Sequence, residues 1–173
     1  IFIEKNKKIE EEVIQNLEAK AKDCNGIVIS DFVYGVITEN IINTVVKLAE
    51  KYNLQIFGDL QCSSQIGSIT KFKDFSLLCP NEKEARIAMQ DKESGLELLS
   101  KKLINETNSQ RLIMKLGGNG FIAYDRSLKG NFISQSFPAL SVNPVDVTGA
   151  GDSLLAIMAV GLTSNQSMMR TAS

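Results

Sequence analysis

Apolar positions along this chain fall into two spacings, helical and strand-like, and the two alternate. Residues 4–23 set Ile9, Val13, Ile14, Leu17 and Ala21 on one face at helical spacing. The charges around them, Lys5, Lys7, Lys8, Glu10, Glu11 and Glu12, read as the solvated face. Residues 26–30 form a short apolar strand. A loop through Gly35 leads to Thr38, a helix-capping residue type, and Ile41, Ile42, Val45, Val46, Leu48 and Ala49 predict a second helix. A strand over 54–59, a polar loop over 61–65 and a strand over 75–79 follow, the last stopped by Pro80. Residues 81–89 and 94–105 read as helices, the latter with Leu96, Leu99 and Leu103 on one side. A strand over 111–116 turns at Gly117-Gly118-Asn119-Gly120 and returns over 121–124. A second turn at Lys129-Gly130 leads into 131–136. A loop flanked by Pro138 and Pro144 then opens a helix with no polar residue between Leu154 and Leu162, and 168–173 is again helix-like. Short apolar strands alternating with helices imply an α/β fold in three layers, helices on both faces of a mostly parallel sheet. The stretch 111–136 reads as an antiparallel addition.

Composition narrows the functions open to such a fold. At 173 residues the chain fits one domain, and 43% hydrophobic content supplies a core. A net charge of -1 and a pI near 5.6 offer no broad basic field for nucleic acid or an anionic membrane. Cys24, Cys62 and Cys79 lack the spacing of a disulfide framework or a zinc site and fit a reducing cytoplasm, with Cys62 and Cys79 as packing residues. There is no histidine, so His-based metal sites and Ser-His-Asp triads are excluded. No apolar run reaches the length of a membrane span, and no signal-peptide pattern is present.

Candidate chemistry concentrates at 146–153, Asp-Val-Thr-Gly-Ala-Gly-Asp-Ser, where the last long helix begins. The unpaired N–H groups of a helix start bind anions. Gly149, Ala150 and Gly151 leave the backbone open to close approach. Asp152 taken alone is equally an acid placed by the helix dipole or a base. The small residues weigh toward the base, because a capping acid does not need them, and a base beside an anion site is the layout of phosphoryl transfer. Asn81-Glu82-Lys83-Glu84 reads first as an acid-rich helix start after a proline. Lys115-Leu116-Gly117-Gly118-Asn119-Gly120 reads as a hairpin turn. It lacks the Gly-Lys-Ser/Thr of a phosphate-binding loop, and no helix follows as a dinucleotide fingerprint requires.

Asp146 to Asp152 closely resembles the signature of the ribokinase-like, or pfkB, sugar kinases. The resemblance covers nearly the whole chain and implies a three-layer ribokinase-like sheet. It also implies that Asp152 deprotonates a sugar hydroxyl and that Gly149, Ala150 and Gly151 form the hole for the transferred phosphoryl group. Asn81 and Glu84 match the family's Asn-x-x-Glu motif, which implies that Glu84 holds Mg²⁺ through water and Asn81 supports the phosphates. Lys115, Gly117, Gly118 and Gly120 match the strand–glycine turn that approaches ATP, although many members have Thr where Lys115 stands. Asp146 and Thr148 match positions near a monovalent cation such as K⁺. Ile29 to Val36 resembles the Ser-Asp-Tyr-x-Lys-Gly-Val stretch of heptose-phosphate kinases, with Tyr34 in place of the lysine. Asp59, like Asp31 placed to end a strand as ligand or turn residue, sits where those kinases have an Asp-Pro-Lys turn, from which Leu60 and Gln61 depart. The expectation is therefore the C-terminal portion of an ATP- and Mg²⁺-dependent kinase acting on a small sugar. The lid and N-terminal part lie outside the chain, so it is inactive alone, and the whole protein can dimerise. The rivals are a non-catalytic nucleotide- or sugar-binding module of the same fold and, more weakly, a dinucleotide-dependent oxidoreductase. The absence of a Gly-x-Gly-x-x-Gly turn after residues 26–30 argues against the latter.

Overall fold

The computed structural model describes residues 7–61, 68–126, 131–139 and 149–173. One sheet holds six strands in chain order: β1 (Gly26–Asp31), β2 (Gln55–Leu60), β3 (Leu77–Leu78), β4 (Arg111–Lys115), β5 (Phe121–Arg126) and β6 (Phe132–Phe137). Strands β1 to β4 run parallel, and β5 and β6 continue antiparallel. The mostly parallel α/β fold is as expected, except that β4 belongs to the parallel part and only β5 and β6 form the antiparallel addition.

The helices are α1 (Lys7–Ala21), α2 (Glu39–Tyr52), α3 (Glu82–Met89), α4 (Leu96–Thr107), α5 (Ala150–Thr163) and α6 (Met168–Ala172). Alternation along the strands divides the core between the two faces of the sheet. Ile56 and Leu60 of β2 and Leu112 and Met114 of β4 pack with Val45, Ala85, Leu99 and Leu103 from α2, α3 and α4. Phe57 and Ile113, pointing the other way, pack with Leu155, Met158 and Leu162 of α5 and Met168 of α6. Coverage is incomplete over β1, where Val28 is half exposed, and Ile9 of α1 is half exposed rather than on the buried face.

Local chemistry sets most boundaries. The Thr38 hydroxyl accepts the Ile41 N–H at 3.3 Å and caps α2, as its residue type predicts. Strand β3 is shorter than the apolar run over 75–79. The Ser76 hydroxyl takes the Ile56 N–H at 3.0 Å in place of a backbone carbonyl, and Pro80 brings no N–H. The expected turn between β4 and β5 is present and takes the form of a 3₁₀ turn over Gly117–Asn119. A second 3₁₀ turn, Ile69–Lys71, buries Ile69 and was not predicted. The expected turn at Lys129-Gly130 lies outside the described residues. No helix among the described residues is long and apolar enough to cross a membrane.

Candidate active site

Parallel strands all end at one edge of a sheet, where open α/β folds bind ligands. Here β1 brings Ser30 and Asp31 to that edge, β2 brings Asp59 with Gln61 just beyond it, and β4 brings Lys115. The start of α5 meets them. Gly149 forms its N-cap at φ 78°, a left-handed conformation suited to glycine, and among the described residues no side chain caps the first turn. The opening amides thus keep their donor capacity. A Cβ at Gly149 would meet nothing within 4 Å. A Cβ at Gly151 would lie 3.3 Å from the Lys115 ammonium and 3.7 Å from a carboxylate oxygen of Asp59.

Two carboxylates flank this point with different surroundings. Asp152, in the first turn of α5, accepts the Gln61 side-chain amide at 3.0 Å and the Ser30 hydroxyl at 3.2 Å, both on Oδ1. Asp59 is fully buried and accepts the Lys115 ammonium on both oxygens, at 2.9 and 2.7 Å, and the Leu60 N–H on Oδ1 at 2.9 Å. Burial pushes the Asp59 carboxyl up from its ordinary value. Lys115 and the Leu60 N–H pull it back, and the charge of Asp152 adds to the rise. Cys79, buried nearby, has its thiol pushed up by the same desolvation and serves packing.

Lys115 also ties the site to α3. Its N–H donates to the Pro80 carbonyl at 2.9 Å, and Asn81 pairs with it in an isolated parallel bridge. Asn81 and Glu84 form a reciprocal capping box, each side chain accepting the other residue's N–H at 2.8 Å. From here a cleft of about 1310 Å³ opens, lined by residues that include Asn81, Arg86, Gln90, Lys102, Lys115 and Gly117. Arg86 pairs with Glu82 at 2.8 Å and Lys102 with Asp91 at 2.6 Å, which holds the Asp91 carboxyl well below the usual carboxylate range.

The profile of the pfkB family carbohydrate kinases matches residues 4–172. The chain belongs to the pfkB family. It is 33% identical over 159 residues to the bifunctional protein HldE of Campylobacter jejuni subsp. jejuni serotype O:6, covering 90% of this chain and 32% of that protein. HldE of Wolinella succinogenes is 28% identical over 158 residues, with 89% and 31% covered. Among solved structures, phosphofructokinase-2 of Escherichia coli in complex with potassium superposes with a TM-score of 0.71 at 19% identity, over 94% of this chain and 52% of that one. Arabidopsis thaliana ribokinase complexed with ribose and ATP gives 0.69 at 23%, over 91% and 49%. These two likenesses show the ribokinase-like fold. The chain spans about a third of the length of the curated relatives it matches, and about half of the solved structures.

Within this pfkB chain, the fold brings together the residues singled out from sequence at Asp152, Gly149 to Gly151, Lys115 and Asn81. Glu84 stands beside Asn81 but is buried in the capping box, so the local reading of that helix start holds. Gly117 and Gly118 border open space, since a Cβ on either would meet nothing within 4 Å. Gly120 is dictated by the fold: its φ is 85°, and a Cβ would come 2.0 Å from the Phe137 carbonyl oxygen. Asp31 anchors its own loop, accepting the Val33 N–H at 2.8 Å and pairing with Lys71. Asp146, Thr148 and Cys62 lie outside the described residues. In the sequence Ser30 and Gln61 stand only inside the loosely matched stretches, Ser30 in the Ile29–Val36 match and Gln61 as a departure from the Asp-Pro-Lys turn, and neither is assigned a role beside Asp152 there.

Proposed function

We propose that this chain carries the catalytic base and the nucleotide side of an ATP-dependent sugar kinase within a longer pfkB polypeptide. The observation that carries the reading is the convergence of an acid, a helix start capped by glycine and a lysine ammonium at one point on the sheet edge. Asp152 takes the proton of the acceptor hydroxyl. The oxygen so freed attacks the γ-phosphorus, and the bond to the bridging oxygen of ADP breaks. The amides at the start of α5 and the Lys115 ammonium donate to the phosphoryl oxygens as charge builds on them. Base assistance of this kind contributes about 10²–10⁴-fold.

The residues present fit ATP with Mg²⁺. The backbone at Gly117, Gly118 and Gly149 borders open space, so a ligand can approach it closely. Among the described residues no cluster of three or more acids or cysteines could cage a metal ion. Mg²⁺ keeps most of its waters and needs few protein ligands, and Glu84 is the candidate carboxylate. When bound, Mg²⁺ neutralises phosphate charge. K⁺ near Asp146 and Thr148 belongs to the same proposal. The acceptor proposed is a heptose-phosphate-type sugar, supported by the HldE likeness.

The test is phosphoryl transfer by the full-length polypeptide from ATP·Mg²⁺ to heptose 7-phosphate, fructose 6-phosphate and ribose. Asp152→Asn is expected to lower kcat by at least about 10²-fold while leaving the KM for ATP nearly unchanged. Equal turnover by the variant rejects Asp152 as the base. ATP binding without turnover on any acceptor favours the non-catalytic module.

A further inference from the structure

Two donors from different strands converge on a single oxygen of Asp152. The Ser30 hydroxyl comes from the C-terminal end of β1, and the Gln61 amide lies just past the end of β2. Residues 30 and 152 are 122 apart in sequence, and 61 and 152 are 91 apart, so neither bond is a by-product of local chain geometry. Both bonds end on Oδ1, and no donor among the described residues reaches Oδ2. An aspartate at the first turn of a helix has several rotamers open to it. Two hydrogen bonds on one oxygen select a single rotamer and leave the other oxygen to face the acceptor.

The two donors are themselves held. Ser30 pairs in register with Asp59 across the β1–β2 ladder, and Asp59 is fixed by Lys115. Gln61 follows Leu60, which is fully buried, and its own N–H donates to the Asp31 carbonyl at 2.8 Å, continuing the ladder past the end of the strand. A donor on a packed strand end holds its partner with less residual freedom than one on a loop.

We propose that Gln61 and Ser30 are positioning residues that fix the Asp152 carboxylate through Oδ1, so that Oδ2 is the oxygen that accepts the substrate proton. The proposal rests on the reading of Asp152 as the base. Gln61 makes the shorter of the two bonds, 3.0 Å against 3.2 Å. A hydrogen bond to a charged group, lost only where orientation matters, lowers kcat by about 10–100-fold. It leaves the KM for ATP unmoved, because neither donor lines the cleft beside α3.

The experiment compares Gln61→Met, Gln61→Lys and Ser30→Ala/Gln61→Met with wild type and Asp152→Asn in the full-length polypeptide. ADP formation with ATP·Mg²⁺ and heptose 7-phosphate or fructose 6-phosphate is measured, and crystal structures of the variants are determined. Methionine matches the length and bulk of glutamine without a donor, whereas lysine returns an N–H donor of similar reach. The expected result is a kcat loss of about 10–100-fold in Gln61→Met with unchanged KM for ATP, substantial recovery in Gln61→Lys, and a rotated Asp152 carboxylate in the double variant. Wild-type kcat in Gln61→Met, or an Asp152 carboxylate unmoved in the double variant, overturns the proposal. If Asp152→Asn is inactive while the Gln61 variants match wild type, the positioning role fails and the base stands. If Asp152→Asn is fully active, the base reading fails and the positioning role falls with it.

Discussion

Lys115 holds the most exposed end of a buried charge pair. Asp59 is wholly inaccessible, and the Lys115 side chain is only 18% exposed. Burial raises the Asp59 carboxyl, and the ammonium is its main counterweight. Lys115→Met therefore leaves a desolvated carboxylate with the Leu60 N–H but no counter-charge, a change that costs about 3–5 kcal/mol. The sign of the pH dependence follows from linkage. A carboxyl whose folded value lies above its unfolded value gives stability that is fully present below the unfolded value and is lost as pH rises through the folded one. Removing Lys115 moves the folded value further up, so the variant loses more stability between acid and neutral pH than wild type. Urea unfolding at pH 5 and pH 8 measures this. Adding Asp59→Asn to Lys115→Met is expected to remove the extra slope and recover most of the stability. An unchanged slope in Lys115→Met would mean that the pair is not the source of the buried charge.

At the scale of elements, what was legible in the sequence is what local chemistry decides. Thr38 and the Asn81–Glu84 box act within a few residues of themselves, and both helix starts fall where the residue types place them. The length of β3 was not legible, because a Ser76 side chain replaces a backbone partner there. Nor was the exposed face of α5. Its run is apolar throughout, yet Leu155 and Met158 are buried while Ile157 and Val160 stand out in solvent. The glycines of the β4–β5 turn were legible as a turn, but not in their separate duties. Gly117 borders the cleft and Gly118 open space, whereas Gly120 lets the turn pass against the Phe137 carbonyl at the end of β6. Gly120→Ala is accordingly expected to destabilise the protein by more than the roughly 1–3 kcal/mol of left-handed strain, since a backbone clash adds to it. Gly118→Ala is expected to stay within about 0.5 kcal/mol. Thermal unfolding of the two variants compares them directly, and equal melting temperatures would remove the distinction.

At the scale of the whole molecule, the candidate site exists only because the sheet order brings distant segments to one edge. Ser30, Asp59, Lys115 and Asp152 come from four elements; the resemblance assigned Lys115 and Asp152 to one site, but the Lys115–Asp59 pair and the Ser30–Asp152 bond were not legible in the sequence. The same topology puts the cleft beside α3 and the start of α5 on either side of Lys115, all within this chain. Apolar cores on both sides of the sheet are likewise built from its own residues. A nucleotide bridging the cleft and the helix start would therefore join elements contributed by both layers and stabilise the fold as a unit. By mass action, ligand at a hundredfold excess over Kd adds about 2.7 kcal/mol. For a chain of this length that corresponds to a rise in Tm of roughly 5–10 °C. ATP·Mg²⁺ is expected to produce such a rise in calorimetry, ATP with chelator a smaller one, and Gly151→Val none. The valine would be driven into the Lys115 ammonium, at the phosphate site proposed above. A full shift in Gly151→Val would place the nucleotide elsewhere on the molecule and leave the α5 start without a ligand.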